Sequence, residues 1–232
     1  MPAKHVIKPY VADAYYHVYN RGVNKTDIFI DEQDYGVFLS YLRTYLVPKD
    51  GQRLQNIILD PTSSLKDRKE AARLLRMNNY FGKIELVSYV LMPNHFHLLV
   101  KQQGERDIER LLQSLTTRYT AYVNRRHKRV GSLLQGTYKA VLVTTDEQLL
   151  HLTRYIHRNP LKLKRLNLLR TYPSSYQNYL GIVQQEWVNP KAIIAHFGKR
   201  GFTSYQSFVE SNDDGLEENE VSVISRMMID EN

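Results

Sequence analysis

The chain has 232 residues, 42% of them hydrophobic and none of them cysteine, enough to bury one substantial core and excluding disulfides and thiolate metal centres. No run of about 18 apolar residues offers a membrane span, and Met1 to Pro9 is polar with no apolar leader, so the expectation is a soluble cytoplasmic protein. Net charge is +8; Glu210 to Asn232 carries −7, from eight acidic residues and one basic, which leaves +15 on the rest and suits either a polyanionic partner such as nucleic acid or a plain solvated surface.

Taken in order, Tyr15-Tyr16-His17-Val18-Tyr19-Asn20 is rich in β-formers and ends at Arg21-Gly22, a strand followed by a turn. Asp31 is placed to cap a helix whose apolar stripe is Tyr35, Phe38, Leu39, Leu42 and Leu46, stopping before Pro48. Residues 51–79 read as an insertion: an extended Ile57-Ile58-Leu59, a turn at Pro61, and a charged helix from Thr62 or Ser63 to about Met77. Ile84 to Val90 reads as a strand.

The next stretch, Leu91-Met92-Pro93-Asn94-His95-Phe96-His97-Leu98-Leu99-Val100, is a turn feeding an apolar strand. Strand side chains alternate, so His95 and His97 share one face while Phe96, Leu98 and Val100 take the other. Two neutral imidazoles so placed suit a shared cation, which could draw only on imidazole, carboxylate, amide, carbonyl or water ligands here. They equally suit half-buried strand residues bonded to their neighbours.

Asp107 to Arg126 forms a long helix with Ile108, Leu111, Leu112, Leu115, Tyr119 and Tyr122 on one side, and its cationic end, Arg125-Arg126-His127-Lys128-Arg129, complements the helix dipole. Gly131 to Gly136 is a loop and Tyr138 to Val143 a strand. Thr145 then caps a helix over Asp146–Asn159, with Gln148 at the capping-box position. On that helix Leu149, Leu152 and Ile156 form the core face. Tyr155 and Asn159, one turn apart, share an adjoining face with Gln148 and His151, and Arg154 and Arg158 flank them. A phenol beside positive charge or a metal can act as a nucleophile, although a core-edge tyrosine is the ordinary alternative among 17.

Met92-Pro93-Asn94-His95-Phe96-His97-Leu98-Leu99-Val100 resembles the HUH motif (His, bulky hydrophobe, His) of single-tyrosine transposases, closest to the REP-associated tyrosine transposases and their insertion-sequence relatives. The resemblance extends to His17-Val18-Tyr19-Asn20-Arg21-Gly22, to the helix at Asp34-Tyr35-Gly36-Val37-Phe38-Leu39, and to Tyr119 through Arg126 followed by Leu134-Gln135-Gly136-Thr137-Tyr138-Lys139. It ends with Arg154-Tyr155-Ile156-His157-Arg158-Asn159-Pro160 and Tyr172-Pro173-Ser174-Ser175-Tyr176. It spans roughly Tyr15 to Gly181, and residues 51–79 are longer than its compact pattern.

This resemblance implies a metal-dependent endonuclease that nicks and rejoins single-stranded DNA at hairpin-forming repeats through a 5′-phosphotyrosine. His95, His97 and Asn159 match the ligands of one Mg²⁺ or Mn²⁺, and Tyr155 matches the nucleophile. DNA binding falls to Arg118, Tyr122, Arg125, Arg126, Lys128, Arg129, Lys139, Arg154 and Arg158, with Lys162, Lys164 and Arg165 nearby; interleaved aromatics suit unpaired bases. It further implies a homodimer, bacterial and nucleoid-associated when on DNA, in which Tyr155 serves its own subunit's metal site or its partner's. The fold expected is α+β, a ferredoxin-like antiparallel sheet covered by helices with the HUH pair on a central strand. Residues 1–180 would form the catalytic domain, 181–209 a C-terminal extension, and 210–232 an acidic, disordered tail. Rival readings are a rolling-circle-type HUH nickase, which usually carries a second domain, and a domesticated nucleic-acid-binding protein without catalysis. A structural metal protein is disfavoured by the lack of cysteine.

Overall fold

A computed structural model describes residues 10–163, 172–198, 204–211 and residue 224. Four strands, β1 (Tyr15–Arg21), β2 (Ile84–Met92), β3 (His95–Gln102) and β4 (Lys139–Val143), form one antiparallel sheet in the order β2-β3-β1-β4. Helix α1 (Glu32–Leu46) follows β1, and α4 (Asp107–Arg126) links β3 to β4. A β-α-β-β-α-β chain whose last strand pairs with the first is the ferredoxin-like arrangement, here with the inserted pair α2 (Gly51–Leu59) and α3 (Leu65–Arg76) ahead of β2. After β4 come α5 (Asp146–Arg158) and, among the described residues, three short helices, α6 (Tyr176–Tyr179), α7 (Lys191–Ile194) and α8 (Tyr205–Glu210).

The period-2 alternation of the strands divides the interior in two. Tyr16, Val18, Phe96, Leu98 and Val100 point to one face, where they pack with Phe38, Leu42 and Tyr45 of α1 and Leu111, Leu115 and Tyr119 of α4. The opposite face, with Val90, Met92 and Leu99, is covered by Leu149, Leu152 and Ile156 of α5. Fully burying each such aliphatic side chain contributes roughly 1.5–3 kcal/mol. The register of β2 against β3 slips between Leu86 and Ser88; this bulge switches the alternation, so that Ile84 and Leu86 before it and Tyr89 and Leu91 after it enter the same core.

Asp31 caps α1 by accepting from the N–H groups of Gln33 and Asp34, and Thr145 caps α5 by accepting from Gln148, as their positions dictate. Ile57-Ile58-Leu59 departs from expectation. Rather than an extended segment it is the last turn of α2, which Asp50 caps at Arg53 and which lies against α3. A cap and a neighbouring helix outweigh the β-propensity of two isoleucines.

Helix α5 departs too, being buried nearly all round. Its sheet-facing stripe was expected; its second side is covered by Tyr176, Tyr179, Tyr205 and Val209 of the C-terminal segments. No helix of the described residues is long and apolar enough to cross a membrane. Lys164, Arg165 and most of the acidic tail lie outside the described residues; within that tail Ile224 is buried in the α5 core.

Candidate active site

The site forms where the β2–β3 turn meets α5. Pro93 and Asn94 make that turn, and its backbone is held from outside. The Pro93 carbonyl accepts from Ile28 N–H at 2.7 Å and Phe29 N–H at 2.9 Å, and the Asn94 carbonyl from Gly22 N–H at 2.8 Å. A Cβ on Gly22 would stand 2.0 Å from the carbonyl oxygen of Thr26, so glycine is what lets the segment after β1 tuck beneath the turn.

Beyond the turn, His95 and His97 face α5 while Phe96 enters the other core. Their ring centroids lie 5.1 Å apart at an interplanar angle of 87°. His95 is partly exposed and His97 fully buried. The Nδ1 of His95 lies 2.6 Å from Oδ1 of Asn94. An amide oxygen only accepts, so Nδ1 carries the proton and Nε2 keeps its lone pair. His17 of β1, also fully buried, brings its Nε2 to 2.8 Å from Nδ1 of His97.

Tyr155 arrives from α5 of the same chain. Its ring stands edge-on to His97, 5.5 Å between centroids at 89°, and edge-on to His17 at 6.4 Å. It is 5% exposed. Asn159, one turn further and just past the end of α5, is 1% exposed, and neither polar atom of its amide has a hydrogen-bond partner among the described residues. A buried amide without partners costs about 1–3 kcal/mol and asks for an explanation.

Two imidazoles and an orphaned amide oxygen suit one hard divalent ion that keeps most of its coordination for other ligands. Among the described residues no group of three or more His, Cys, Asp or Glu gathers into a fuller cage. The donor set therefore fits Mg²⁺ or Mn²⁺ held sparsely.

The cations expected to bind DNA fall into three sets. Lys139 is the one that reaches this site: the cross-strand row Val90, His97, Tyr19, Lys139 runs through the sheet, and the Lys139 ammonium sits 5.7 Å from the Tyr19 ring centroid. Arg118, Arg125, Lys128 and Arg129 lie on or just after α4, which packs on the opposite face of the sheet; Arg118 covers the Tyr41 ring at 5.8 Å.

The third set holds the fold. Arg126 pairs with Asp31 at 2.6 Å and with the buried Asp34 at 2.5 Å, and Tyr122 donates to the same Asp34 at 3.0 Å. Burial acts to raise the Asp34 carboxyl, but the Ile30 N–H, Arg126, Tyr122 and His127 outweigh it and hold it below the usual carboxylate range. Arg154, fully buried, donates from Nε to the Phe208 carbonyl at 2.7 Å and from Nη2 to that of Ser211 at 3.1 Å. Arg158 donates to Val209 and Ser211 carbonyls, both at 2.8 Å. These are the carbonyls a helix end leaves without intrahelical partners. The expectation that Arg154 and Arg158 bind DNA rests on their positive charge beside Tyr155; the carbonyls that engage them, at the end of α8, come from a distant part of the chain.

On the same covered side His157 lies between Tyr205 Oη at 2.6 Å and Ser175 Oγ at 2.7 Å, and burial pushes its pKa down to about 3. His17, Tyr19 and Asn94 were given no role from the sequence. The available signal was the strand alternation that sets His17 and Tyr19 on one face, but strand pairing is needed to put that face beside His97.

Residues 63–159 match the family of IS200-like transposases, a span that contains His95, His97 and Tyr155 and ends on Asn159. No curated protein matches the chain. Among solved structures, the chain is similar to a REP-associated tyrosine transposase bound to a REP hairpin, at 13% identity and a TM-score of 0.46, over 87% of this chain and 96% of that one. It is also similar to a crystal structure from Deinococcus radiodurans R1 ascribed to a transposase, at 16% identity and a TM-score of 0.28, over 65% and 94% of the two chains.

Proposed function

We propose that this chain is a transposase that cleaves and rejoins single-stranded DNA at hairpin-forming repeats, with Tyr155 as nucleophile, a reading supported by the match of residues 63–159 to the IS200-like transposases. The observation that carries the reading is the edge-on contact of Tyr155 with His97 at 5.5 Å, which brings a phenol from α5 against the His-x-His pair of β3. In this arrangement Tyr155 serves the histidines of its own chain, and a homodimer would hold two such sites.

His95, His97 and Asn159 would hold the Mg²⁺ or Mn²⁺; when bound, the ion supplies Lewis-acid polarisation of the phosphate oxygens. The chain's own groups do the rest. Tyr155 Oη attacks phosphorus in line with the leaving 3′-oxygen: the Oη–P bond forms, the P–O3′ bond breaks, and the phenolic proton ends on the new 3′-hydroxyl. The products are a 5′-phosphotyrosine and a free 3′-end. The bond energy is retained in the ester, so another 3′-hydroxyl can attack it, restore Tyr155 and join strands. Lys139, at the end of the row that carries His97, adds positive charge where the phosphate would lie. Arg118, Arg125, Lys128 and Arg129 offer a backbone-tracking surface on and after α4.

The test is incubation with a single-stranded hairpin oligonucleotide and Mn²⁺, followed by denaturing electrophoresis for a covalent protein–DNA adduct. The adduct is expected with the wild type and absent in Tyr155→Phe and in His95→Ala/His97→Ala. An adduct that survives Tyr155→Phe, or duplex DNA cut as readily as the hairpin, overturns the reading.

A further inference from the structure

We propose that His17 is a positioning residue for His97, accepting the Nδ1–H of His97 on its own Nε2 and so reserving the His97 Nε2 lone pair for the metal. The inference rests on reading His95 and His97 as ligands, and it assigns a task to a residue of β1 that lies outside the span shared with the transposase family.

The geometry is that of a built contact. His17 and His97 are both fully buried, their facing nitrogens are 2.8 Å apart, and their rings are nearly parallel at 13°. The strand register pairs His17 with Leu99 and Tyr19 with His97, so the two imidazoles meet as diagonal neighbours on one sheet face. Tyr19 flanks both rings, 4.8 Å from His17 and 5.8 Å from His97, and Tyr155 stands edge-on to each. His17 is thus held by the sheet and by packing on the α5 side.

One proton lies between two neutral imidazoles, so one ring donates and the other accepts. If His17 donated, His97 would carry its own proton on Nε2 and have no outward lone pair. If His97 donates from Nδ1, its Nε2 is a ligand. His95 already follows the second pattern, with its Nδ1–H on the Asn94 amide oxygen. The two histidines then share one scheme: Nδ1–H anchored on a neutral acceptor from the chain, Nε2 left to the ion. Metal-ligating histidines ordinarily anchor the far N–H on a carboxylate, a carbonyl or water. A neutral acceptor here adds no negative charge to the site, leaving that charge to be brought by the DNA phosphate.

The experiment has a metal-free arm and a binding arm, both on the full chain. In protein labelled with ¹⁵N-histidine, long-range ¹H–¹⁵N correlation without metal should find His97 protonated on Nδ1; a proton on Nε2 overturns the proposal. In the binding arm, Mn²⁺ affinity is read by calorimetry. His17→Leu, which removes the acceptor, should lose about 10–100-fold in affinity while keeping wild-type binding to hairpin DNA in EDTA. His17→Gln, which restores an acceptor near the ε position, should recover the affinity. If His17→Leu does not fold, His17→Asn, polar but one methylene shorter than Gln, is expected to show the same loss. Undiminished Mn²⁺ affinity in the Leu or Asn variant, or a Gln variant as weak as Leu, overturns the positioning role. Undiminished Mn²⁺ affinity in His95→Ala/His97→Ala would instead overturn the metal reading, a failure the tautomer measurement keeps separate.

Discussion

Arg154, the residue immediately before Tyr155, turns away from the sheet and donates to the carbonyl of Phe208 at 2.7 Å. Neighbouring side chains on α5 therefore face opposite ways: Tyr155 toward the histidines of the sheet, Arg154 and His157 toward the C-terminal helices. The rotation of α5 about its axis, and with it the direction of the phenol, is fixed from both sides. Residues beyond 180 are in this sense part of the site's support.

Arg154→Leu should accordingly act on stability and not on DNA electrostatics. Removing the guanidinium takes the 2.7 Å donor from the Phe208 carbonyl, which keeps the Ser211 hydroxyl at 3.4 Å, while Arg158 still donates to the Ser211 carbonyl at 2.8 Å; about 1–3 kcal/mol is expected for the one acceptor so weakened. The expected result is a lower Tm with an unchanged salt dependence of hairpin binding. Arg125→Ala, on the exposed end of α4, is the contrast: Tm stays, and the slope of log affinity against log salt falls by about 1. Arg154→Leu lowering the slope with Tm intact would place that guanidinium on DNA after all.

Gly22→Ala tests how the turn before His95 is held. The added Cβ meets the Thr26 carbonyl oxygen at 2.0 Å, and backbone cannot move aside as a flexible side chain would. Residues 22–28 must shift, and with them the N–H groups of Gly22 and Ile28 that hold the turn carbonyls. A loss of about 1–3 kcal/mol is expected from such overpacking, read as a fall in the urea midpoint. Adduct formation should fall as well, because His95 begins where that turn ends.

The sequence carried the sheet, the two faces of its strands and three of the caps and turns nearest the site, because strand alternation, Asp31, Thr145 and Pro93-Asn94 are local signals. His95, His97 and Tyr155 are singled out by motif resemblance, and the fold brings their rings together. What was not legible depended on distant contacts. Ile57 to Leu59 looked extended until α3 lay beside them. Arg126, Arg154 and Arg158 looked like DNA contacts because their partners, Asp34 and the carbonyls at the end of α8, come from elsewhere in the chain. His17 had no visible role because its partner lies across the sheet.

His157 gives the fold an acid-sensitive point. Its folded pKa is pushed down to about 3 by burial, below the ordinary value near 6.5. The unfolded chain takes up the proton before the native one does, so this contribution is fully present above about pH 6.5 and is lost as pH falls toward 3. The slope is about 1.4 kcal/mol per pH unit for one such group. His151, also lowered by burial, acts in the same direction. Urea midpoints measured between pH 7 and 5 should fall with acid, and His157→Gln should flatten the curve. A wild-type midpoint that does not move over this range contradicts the assignment of a neutral, buried His157.

Asn159 separates stability from metal binding. Its amide is 1% exposed with no hydrogen-bond partner at either polar atom among the described residues, so in the metal-free protein it is a cost without a return. Replacing it with Leu, of similar size and without polar atoms, removes the desolvation penalty of about 1–3 kcal/mol, less whatever strain the branched end introduces. Asn159→Leu without metal should therefore be at least as stable as the wild type by urea unfolding. Mn²⁺ should then stabilise the wild type more than the variant, because a ligand that binds only the folded state adds stability in proportion to the logarithm of its occupancy. The two unfolding curves should cross in order as Mn²⁺ is added: variant at or above wild type in EDTA, wild type above variant at saturating metal. Equal Mn²⁺ stabilisation of both proteins would remove Asn159 from the ligand set while leaving the His95 and His97 pair untouched.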